Sequence, residues 1–291
     1  MKIQHLLAYL ALSLIWGLSF LVVVNVVQAF GWVGAVTFRA LVAGGVLFAI
    51  SLASGRKLNF SGGWQPFALV GATTVAGQLV GLSVAAPRIG TTMTAVFVAA
   101  IPLFSMLIGQ MWGIEKISRS GVAGLLLGLI GIVLLVGFPT IAINNDFIVG
   151  CVVSVFGAIC AAFGSNYASR YLRQVGSHEV TIGSFLWGGL MTLPLLWLVP
   201  VPTTPRLIDF GYLLLLGSTM SALAYVIYFR LVSTIGATKT ISVEFVVTVV
   251  AVLVGTLLLG ERLSLAQTLG TLSIIAGCAL VLGLVGRPSS G

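Results

Sequence analysis

Long apolar segments dominate this chain, and short polar or glycine-rich breaks separate them. The hydrocarbon core of a bilayer is about 30 Å thick, so a helix needs about 20 apolar residues to cross it. Ten segments have about this length, which predicts an all-α integral membrane protein with ten transmembrane helices. The predicted segments are 6–27, 32–53, 65–84, 91–112, 119–138, 147–169, 179–199, 207–229, 239–259 and 264–286.

The composition supports this class. Of the 291 residues, 59% are hydrophobic and 7% are charged, whereas soluble proteins carry about 25% charged residues. The net charge of +8 does not indicate nucleic-acid binding, because no basic stretch with interleaved aromatic residues is present. Cys151, Cys160 and Cys278 lie inside apolar segments without disulfide or metal-binding spacing. We therefore expect no metal site and no cofactor.

The middle of the chain reappears at its end after a shift of 146 positions. Each copy contains five segments, and an odd number of crossings places the second copy upside down relative to the first. The sequence therefore predicts two inverted five-helix repeats, residues 1–140 and 141–291, fused into one bundle with a substrate site between them. The equivalent positions are Ile89-Gly90 and Ile235-Gly236, Glu115-Lys116-Ile117-Ser118 and Glu261-Arg262-Leu263-Ser264, Gly124 and Gly270, and Gly131 and Gly277.

Basic residues predict the orientation of the chain, because cytoplasmic loops carry an excess of lysine and arginine. With the N-terminus inside, ten basic residues face the cytoplasm and three face the opposite side. Both ends of the chain are therefore predicted to be cytoplasmic. The cytoplasmic set is Lys2, Arg56, Lys57, Lys116, Arg119, Arg170, Arg173, Arg230, Lys239 and Arg287, and the other set is Arg88, Arg206 and Arg262.

The fourth and ninth segments carry matching stripes of small or polar residues at three- and four-residue steps. These stripes either face each other across a central pathway or allow close helix packing. On the pathway interpretation, Thr94, Val98 and Thr248 contact a substrate. Pro102 removes a helical hydrogen bond and marks either a flexible joint or a static kink. The stripes are Thr94, Val98, Pro102, Ser105 and Gly109, and Thr240, Glu244, Thr248, Ala251 and Gly255.

Two charged residues lie inside predicted segments, where charge is costly unless it is solvated, paired or neutralised. Glu244 is about 8–9 Å inside the ninth helix at a rise of 1.5 Å per residue. It either couples transport to protons, binds a substrate ammonium group, or forms a structural pair with Lys239, Arg230 or Arg39. Arg39 in the second segment either attracts a carboxylate or extends to the membrane surface or a helix end.

Aromatic and amide side chains complete the predicted substrate contacts. Aromatic rings with a polar edge suit an organic solute through stacking and one hydrogen bond. The alternative is that these rings fill packing gaps. The third and eighth segments offer Thr74, Gln78, Ser221, Tyr225 and Tyr228. The residues selected as contacts are Trp16, Gln78, Phe163, Asn166, Trp187 and Tyr225.

These features together resemble the drug/metabolite transporter superfamily, in particular its EamA-type ten-helix transporters. The resemblance covers essentially the whole chain. It is carried by Trp16-Gly17, Phe38-Arg39-Ala40, Pro102 and the two repeated Glu-Lys/Arg-x-Ser motifs, each of which precedes a glycine-rich helix.

Within this family the chain is similar to bacterial exporters of amino acids. That similarity implies a cavity between the repeats, export across the bacterial inner membrane, and a monomer. Small or aliphatic Ala99 and Ile101 precede Pro102, and Ala161 stands where a tryptophan is common in the sixth helix. These differences imply a wider, less aromatic cavity and a broader substrate range.

The sequence favours a secondary carrier that exports amino acids or related small metabolites, with the lipid bilayer as its other partner. A facilitator without ion coupling and a broad-specificity efflux carrier fit as well. The chain has no Gly-x-x-x-x-Gly-Lys motif, which excludes ATP-driven transport by this chain alone. A sugar-phosphate antiporter should place basic residues in the cavity, where only Arg39 and Lys239 are candidates. An enzyme would need paired catalytic groups and a channel would need a continuous polar pore, and the sequence indicates neither.

Overall fold

The computed structural model describes residues 2–60, 63–116, 118–136, 144–202, 204–247, 249–250 and 264–284, without the side chains of 20, 86–87, 90–96, 99, 135 and 136. Within these ranges the backbone forms helices and turns and contains no strand, as predicted. Residues 243–247 are also helical. The elements are α1 (Ile3–Ala53), α2 (Gln65–Val70), π1 (Gly71–Gly77), α3 (Gln78–Ala99), α4 (Ile101–Met111), α5 (Arg119–Val136), α6 (Asn145–Tyr171), α7 (Ser177–Thr192), α8 (Leu195–Leu198), α9 (Leu207–Gly217), π2 (Ser218–Leu223), α10 (Ala224–Ile235), α11 (Ala237–Ile241) and α12 (Leu265–Val281).

Several of these helices have the length and composition of membrane spans. Among the described residues, five are long and apolar enough to cross a bilayer. Large apolar side chains cover their outward faces; Leu14, Val24 and Ile148, for example, are 52%, 56% and 52% exposed. An apolar surface of this extent requires lipid around it rather than water. The five spans are Leu21–Ala53, Gln65–Ala85, Asn145–Tyr171, Ser177–Leu198 and Leu207–Ile235, and the shorter apolar helices are Ile3–Ser19, Ile101–Met111, Arg119–Leu134 and Leu265–Val281.

Gly31 divides α1 into two arms. Its backbone has φ 70° and ψ 169°, while the residues on both sides are helical. Only glycine adopts this conformation readily, because it has no Cβ. The predicted turn at residues 29–31 is therefore present, and it separates the first two predicted segments.

The boundary between the third and fourth predicted segments differs from the structure. The sequence predicts a break at residues 85–90, but α3 is helical through Pro87 up to Ala99. The chain instead breaks at Ala100, and Pro102 lies in the first turn of α4. Proline has no backbone N–H, so Pro102 cannot donate the helical hydrogen bond to the residue four positions earlier. This missing donor explains why the break lies next to Pro102.

Two π-helical stretches occupy equivalent positions in the two halves of the sequence. π1 spans Gly71–Gly77 and π2 spans Ser218–Leu223. A shift of 146 positions carries Gly71 onto Gly217, the residue that immediately precedes π2. Wider π turns inside α-helices are frequent at functional sites. Both stretches lead directly into the helices, α3 and α10, that hold Gln78 and Tyr225.

Glycines form the contact between α5 and α12. A Cβ atom at Gly124 would lie 2.6 Å from the carbonyl oxygen of Gly277, and one at Gly131 would lie 2.7 Å from that of Gly270. The two helices therefore run antiparallel with their backbones in direct contact. Small residues permit this approach, which is a common way for membrane helices to associate.

We expect Gly124→Ala to lower the stability of the protein by about 1–3 kcal/mol, because the added methyl group overlaps the backbone of α12. Thermal unfolding in detergent micelles measures the effect. Gly45→Ala is the matched control, because a Cβ atom at Gly45 has no neighbour within 4 Å. Equal melting temperatures for the two variants would contradict the glycine contact.

Candidate functional site

A small cavity lies at the centre of the bundle, where elements from both halves of the chain meet. Its volume is about 20 Å³, which is room for about one water molecule. Four of the residues predicted to form the site, Trp16, Gln78, Tyr225 and Glu244, are in its wall. The lining residues are Trp16, Thr74, Gln78, Ile101, Ala161, Tyr225, Tyr228, Ile241 and Glu244.

Three aromatic rings form one side of the cavity. The ring centroids of Trp16 and Tyr225 are 5.2 Å apart, those of Trp16 and Tyr228 are 5.6 Å apart, and those of the two tyrosines are 5.5 Å apart. The Tyr228 hydroxyl forms a hydrogen bond with Ser165. The buried indole nitrogen of Trp16 has no hydrogen-bond partner in the described part of the chain. A buried indole N–H normally has a partner, so this donor is available to a solute in the cavity.

Glu244 and Arg39 place two opposite charges at the centre. Arg39 Nε donates a hydrogen bond to Ser221 Oγ at 2.6 Å, and its positive charge acts on Tyr225 and Glu244. Ser221 lies in π2, and its hydroxyl also donates to the Leu216 carbonyl oxygen at 2.8 Å. Of the basic partners that the sequence allows for Glu244, Arg39 is the one whose charge acts on it. The wider turn of π2 thus positions the hydroxyl that holds Arg39 near the carboxylate.

Asn166 lies outside the cavity wall, although its polarity and position predicted a substrate contact. Its Nδ2 donates to the Ser105 carbonyl oxygen at 3.1 Å, to Ser105 Oγ at 2.9 Å and to the Ala162 carbonyl oxygen at 2.9 Å. The side chain is fully buried. The amide therefore ties α6 to α4.

Other predicted contacts are also placed away from the cavity. Phe163 packs edge-on against Trp112, with ring centroids 5.2 Å apart, and Trp187 packs on Trp64 at 5.0 Å. Val98 packs against the central core without lining the cavity. The side chain of Thr94, and Thr248 as a whole, lie outside the described residues.

The wall also contains residues beyond those selected from the sequence. Thr74 lies four residues before Gln78, Tyr228 three after Tyr225, and Ile241 three before Glu244. Three- and four-residue steps keep side chains on one helix face, so helical spacing from the selected residues could have identified them. Ile101 and Ala161 line the cavity too. The expected wider, less aromatic cavity is not found in this conformation, because the three rings pack against one another and occupy the space.

Comparison with known proteins adds to this geometry. Residues 3–137 and 148–283 each match the EamA-like transporter family. The chain is 32% identical to the inner membrane transporter YedA of Escherichia coli, over 94% of this chain and 89% of that protein. It is 28% identical to the protein PecM of Dickeya dadantii, over 92% of this chain and 88% of that protein. A crystal structure with 19% sequence identity has the same fold, with a TM-score of 0.84 over 99% of this chain and 100% of the other.

We expect Arg39→Met to lower the thermal stability by about 1–3 kcal/mol, because it leaves the Glu244 carboxylate inside the bundle without its cation. A fully buried pair would lose about 3–5 kcal/mol, and both side chains here are only half-buried. The double variant Arg39→Met/Glu244→Gln should recover part of the lost thermal stability. The control is Arg206→Met, which removes a cation whose side chain is 81% exposed. The same melting temperature for Arg39→Met and Arg206→Met would refute the charge interaction.

Proposed function

The chain belongs to the EamA-like transporter family and is a multi-pass protein of the bacterial inner membrane, and from this premise we propose that it exports amino acids or related small metabolites. The observation that carries the proposal is the central cavity. Its wall combines a carboxylate, three aromatic rings and an indole donor that has no partner among the described residues. The proposed mechanism is alternating access, in which the cavity opens first to the cytoplasm and then to the other side of the membrane.

The proposed architecture is ten helices in two inverted repeats, residues 1–140 and 141–291, with both termini cytoplasmic. The double match to one family supports two repeats. The glycine contacts support the inversion. Gly124 is equivalent to Gly270 in the sequence but faces Gly277, and Gly131 is equivalent to Gly277 but faces Gly270. This reciprocal crossing is expected of a two-fold axis perpendicular to antiparallel helices. The equivalent positions of π1 and π2 agree with it.

The wall of the cavity suits the chemical groups of an amino acid. In our proposal the substrate ammonium group binds the Glu244 carboxylate, and the substrate carboxylate accepts a hydrogen bond from the Trp16 indole. Gln78 and Thr74 supply further polar contacts, and the rings of Trp16, Tyr225 and Tyr228 contact the apolar part of the substrate. Ammonium groups are also attracted to aromatic faces, and this attraction adds to the binding of the substrate ammonium group by Glu244.

Binding requires a larger space than this conformation provides. The cavity measures about 20 Å³, whereas pockets that bind small molecules measure about 300–1,000 Å³. The halves must therefore move apart around the site when a substrate enters. The helix break at Ala100 and the turns of π1 and π2 lie next to the cavity residues Ile101, Gln78 and Tyr225, so they are well placed to absorb this movement.

The cavity does not favour a sugar-phosphate antiporter. Such a carrier binds a doubly charged anion and needs lysine or arginine side chains around it. Among the nine residues that line the cavity, the only charged one is Glu244. The aromatic wall instead agrees with a carrier that accepts a range of amphiphilic amines and amino acids.

We expect purified protein in proteoliposomes to catalyse saturable counterflow of labelled amino acids, with trans-acceleration by unlabelled substrate. Gln78→Ala should raise the concentration for half-maximal counterflow about tenfold, which corresponds to the loss of one hydrogen bond inside the cavity. Gln110→Ala is the control, because Gln110 is exposed on α4. Transport that does not saturate would indicate a channel, and absence of amino-acid counterflow would refute this substrate class.

A second prediction concerns the pH dependence of transport. Glu244 is the carboxylate in the cavity wall, and the ionisable groups near it in the described part of the chain include Arg39, Tyr9, Tyr225 and Tyr228. Because glutamine cannot release a proton, Glu244→Gln should flatten the pH profile of counterflow. Glu179→Gln should keep the wild-type profile, since Glu179 is a buried carboxylate in α7 that does not line the cavity. A Glu244→Gln variant with an unchanged pH profile and rate would reduce Glu244 to a structural role.

A further inference from the structure

A carboxylate joins the two halves of the chain at one end of the bundle. Both oxygens of Glu115, in the turn after α4, accept hydrogen bonds from the backbone N–H of Thr238 at 3.3 Å. Thr238 is the second residue of α11. The first turn of a helix has free N–H groups and a partial positive charge, so a carboxylate there is stabilising.

Two glycines shape the backbone around this contact. Gly113 has φ 66° and turns the chain after α4, which brings Glu115 back toward α11. Gly236 has φ 93° and separates α10 from α11. A Cβ atom at Gly236 would also collide with a carboxylate oxygen of Glu115. Position 236 therefore requires glycine both for its backbone conformation and for the approach of Glu115.

A buried polar cluster lies beneath the carboxylate. The hydroxyls of Ser105 and Thr238 form a hydrogen bond at 3.1 Å, and Asn166 Nδ2 donates to Ser105 Oγ at 2.9 Å. All three side chains are fully buried. The cluster links α4 of the first half to α6 and α11 of the second half.

This cluster lies between the cavity and one end of the bundle. Ser105, Asn166 and Thr238 are three to five residues along their helices from the cavity residues Ile101, Ala161 and Ile241. At 1.5 Å per residue the cluster is displaced from the cavity by about 4.5–7.5 Å. In the proposed orientation this end faces the cytoplasm, so Glu115 and the cluster close the cytoplasmic access to the site.

We propose that the contact of Glu115 with Thr238 is the cytoplasmic gate of the transporter. The proposal rests on the alternating access proposed above. A shift of 146 positions relates Glu115 to Glu261, and Thr92 and Gly90 to Thr238 and Gly236. The cytoplasmic gate is closed in this structure. Opening it exchanges the Glu115 contact for water and lets substrate reach the cavity.

The backbones at the two equivalent positions differ in this structure. The chain is broken at Gly236, where Glu115 binds, but it is helical through Gly90 within α3. Ser105 is equivalent to Ala251 in the second copy. The contact at Glu115 therefore includes a hydroxyl, that of Ser105, which the second copy lacks at the equivalent position of the sequence.

Cysteine accessibility tests the gate without a known substrate. Ala161→Cys places a thiol in the cavity wall after Cys151, Cys160 and Cys278 are replaced by alanine. A membrane-impermeant maleimide is then applied to inside-out vesicles, which expose the cytoplasmic face, and to spheroplasts, which expose the other face. We expect Glu115→Ala to speed labelling from the cytoplasmic face about tenfold, the ratio expected for the loss of one hydrogen bond to a charged group.

Further variants keep this test decisive. Lys116→Gln is the matched control, because it removes an exposed charge from the same turn and should not change the labelling rate. Thr238→Val keeps the backbone N–H that contacts Glu115 but loses the hydrogen bond of the Thr238 hydroxyl. We therefore expect a smaller increase in the labelling rate, in a protein that still contains Glu115. Unchanged labelling of both Glu115→Ala and Thr238→Val, or equal increases in Glu115→Ala and Lys116→Gln, would overturn the gate. Since labelling needs no substrate, a failure of amino-acid counterflow would leave this result interpretable.

Discussion

A charge inside an apolar bundle is costly, and the centre of this protein is organised around that cost. Arg39 is held by Ser221, and its charge acts on Glu244 across the cavity region. The wider turn of π2 presents the Ser221 hydroxyl, which links a backbone irregularity to the electrostatics of the site. A charge at membrane depth needs a partner or water, and Arg39 supplies an opposite charge near Glu244. The aromatic rings then occupy the remaining apolar space, so the cavity stays small while no substrate is bound.

The two halves are joined by two physically different kinds of contact. Between α5 and α12 the contact is dry, with glycine backbones against each other. Separating these helices would expose no polar groups that water could satisfy, so nothing would compensate for the lost packing. At the proposed gate the Glu115 carboxylate accepts from the Thr238 N–H, and Ser105 bonds to Thr238 and Asn166. Water can replace such bonds at a net cost of about 0.5–3 kcal/mol each. The polar contact is therefore the one suited to open and close, and the glycine contact is suited to hold the repeats together throughout.

The sequence predicted the class of the fold and a large part of the cavity, for one physical reason. Polar side chains inside lipid must face protein or a wet space, and Trp16, Gln78, Tyr225 and Glu244 on four segments do converge on one cavity. The same rule placed Asn166 there, but its amide bonds to Ser105. Polarity shows that a group needs a partner without showing whether that partner is a solute or another helix. The predicted helix break at residues 85–90 lies at Ala100 in the structure. A proline such as Pro87 can remain inside a membrane helix when its neighbours satisfy the backbone.

The internal duplication carries information that a single conformation does not. Ile89-Gly90 and Ile235-Gly236 are the same residues at equivalent positions, yet one pair is within a helix and the other is at a helix break. Equivalent sequence in two conformations is what an alternating structure requires, since each repeat must adopt the other's geometry in the opposite state. The repeats are not chemically equal, however, because Ser105 corresponds to Ala251. The extra hydroxyl adds a hydrogen bond to Thr238 at the proposed gate. The balance between the two states therefore depends on positions at which the copies differ, such as Ser105 and Ala251, rather than on the glycines that they share.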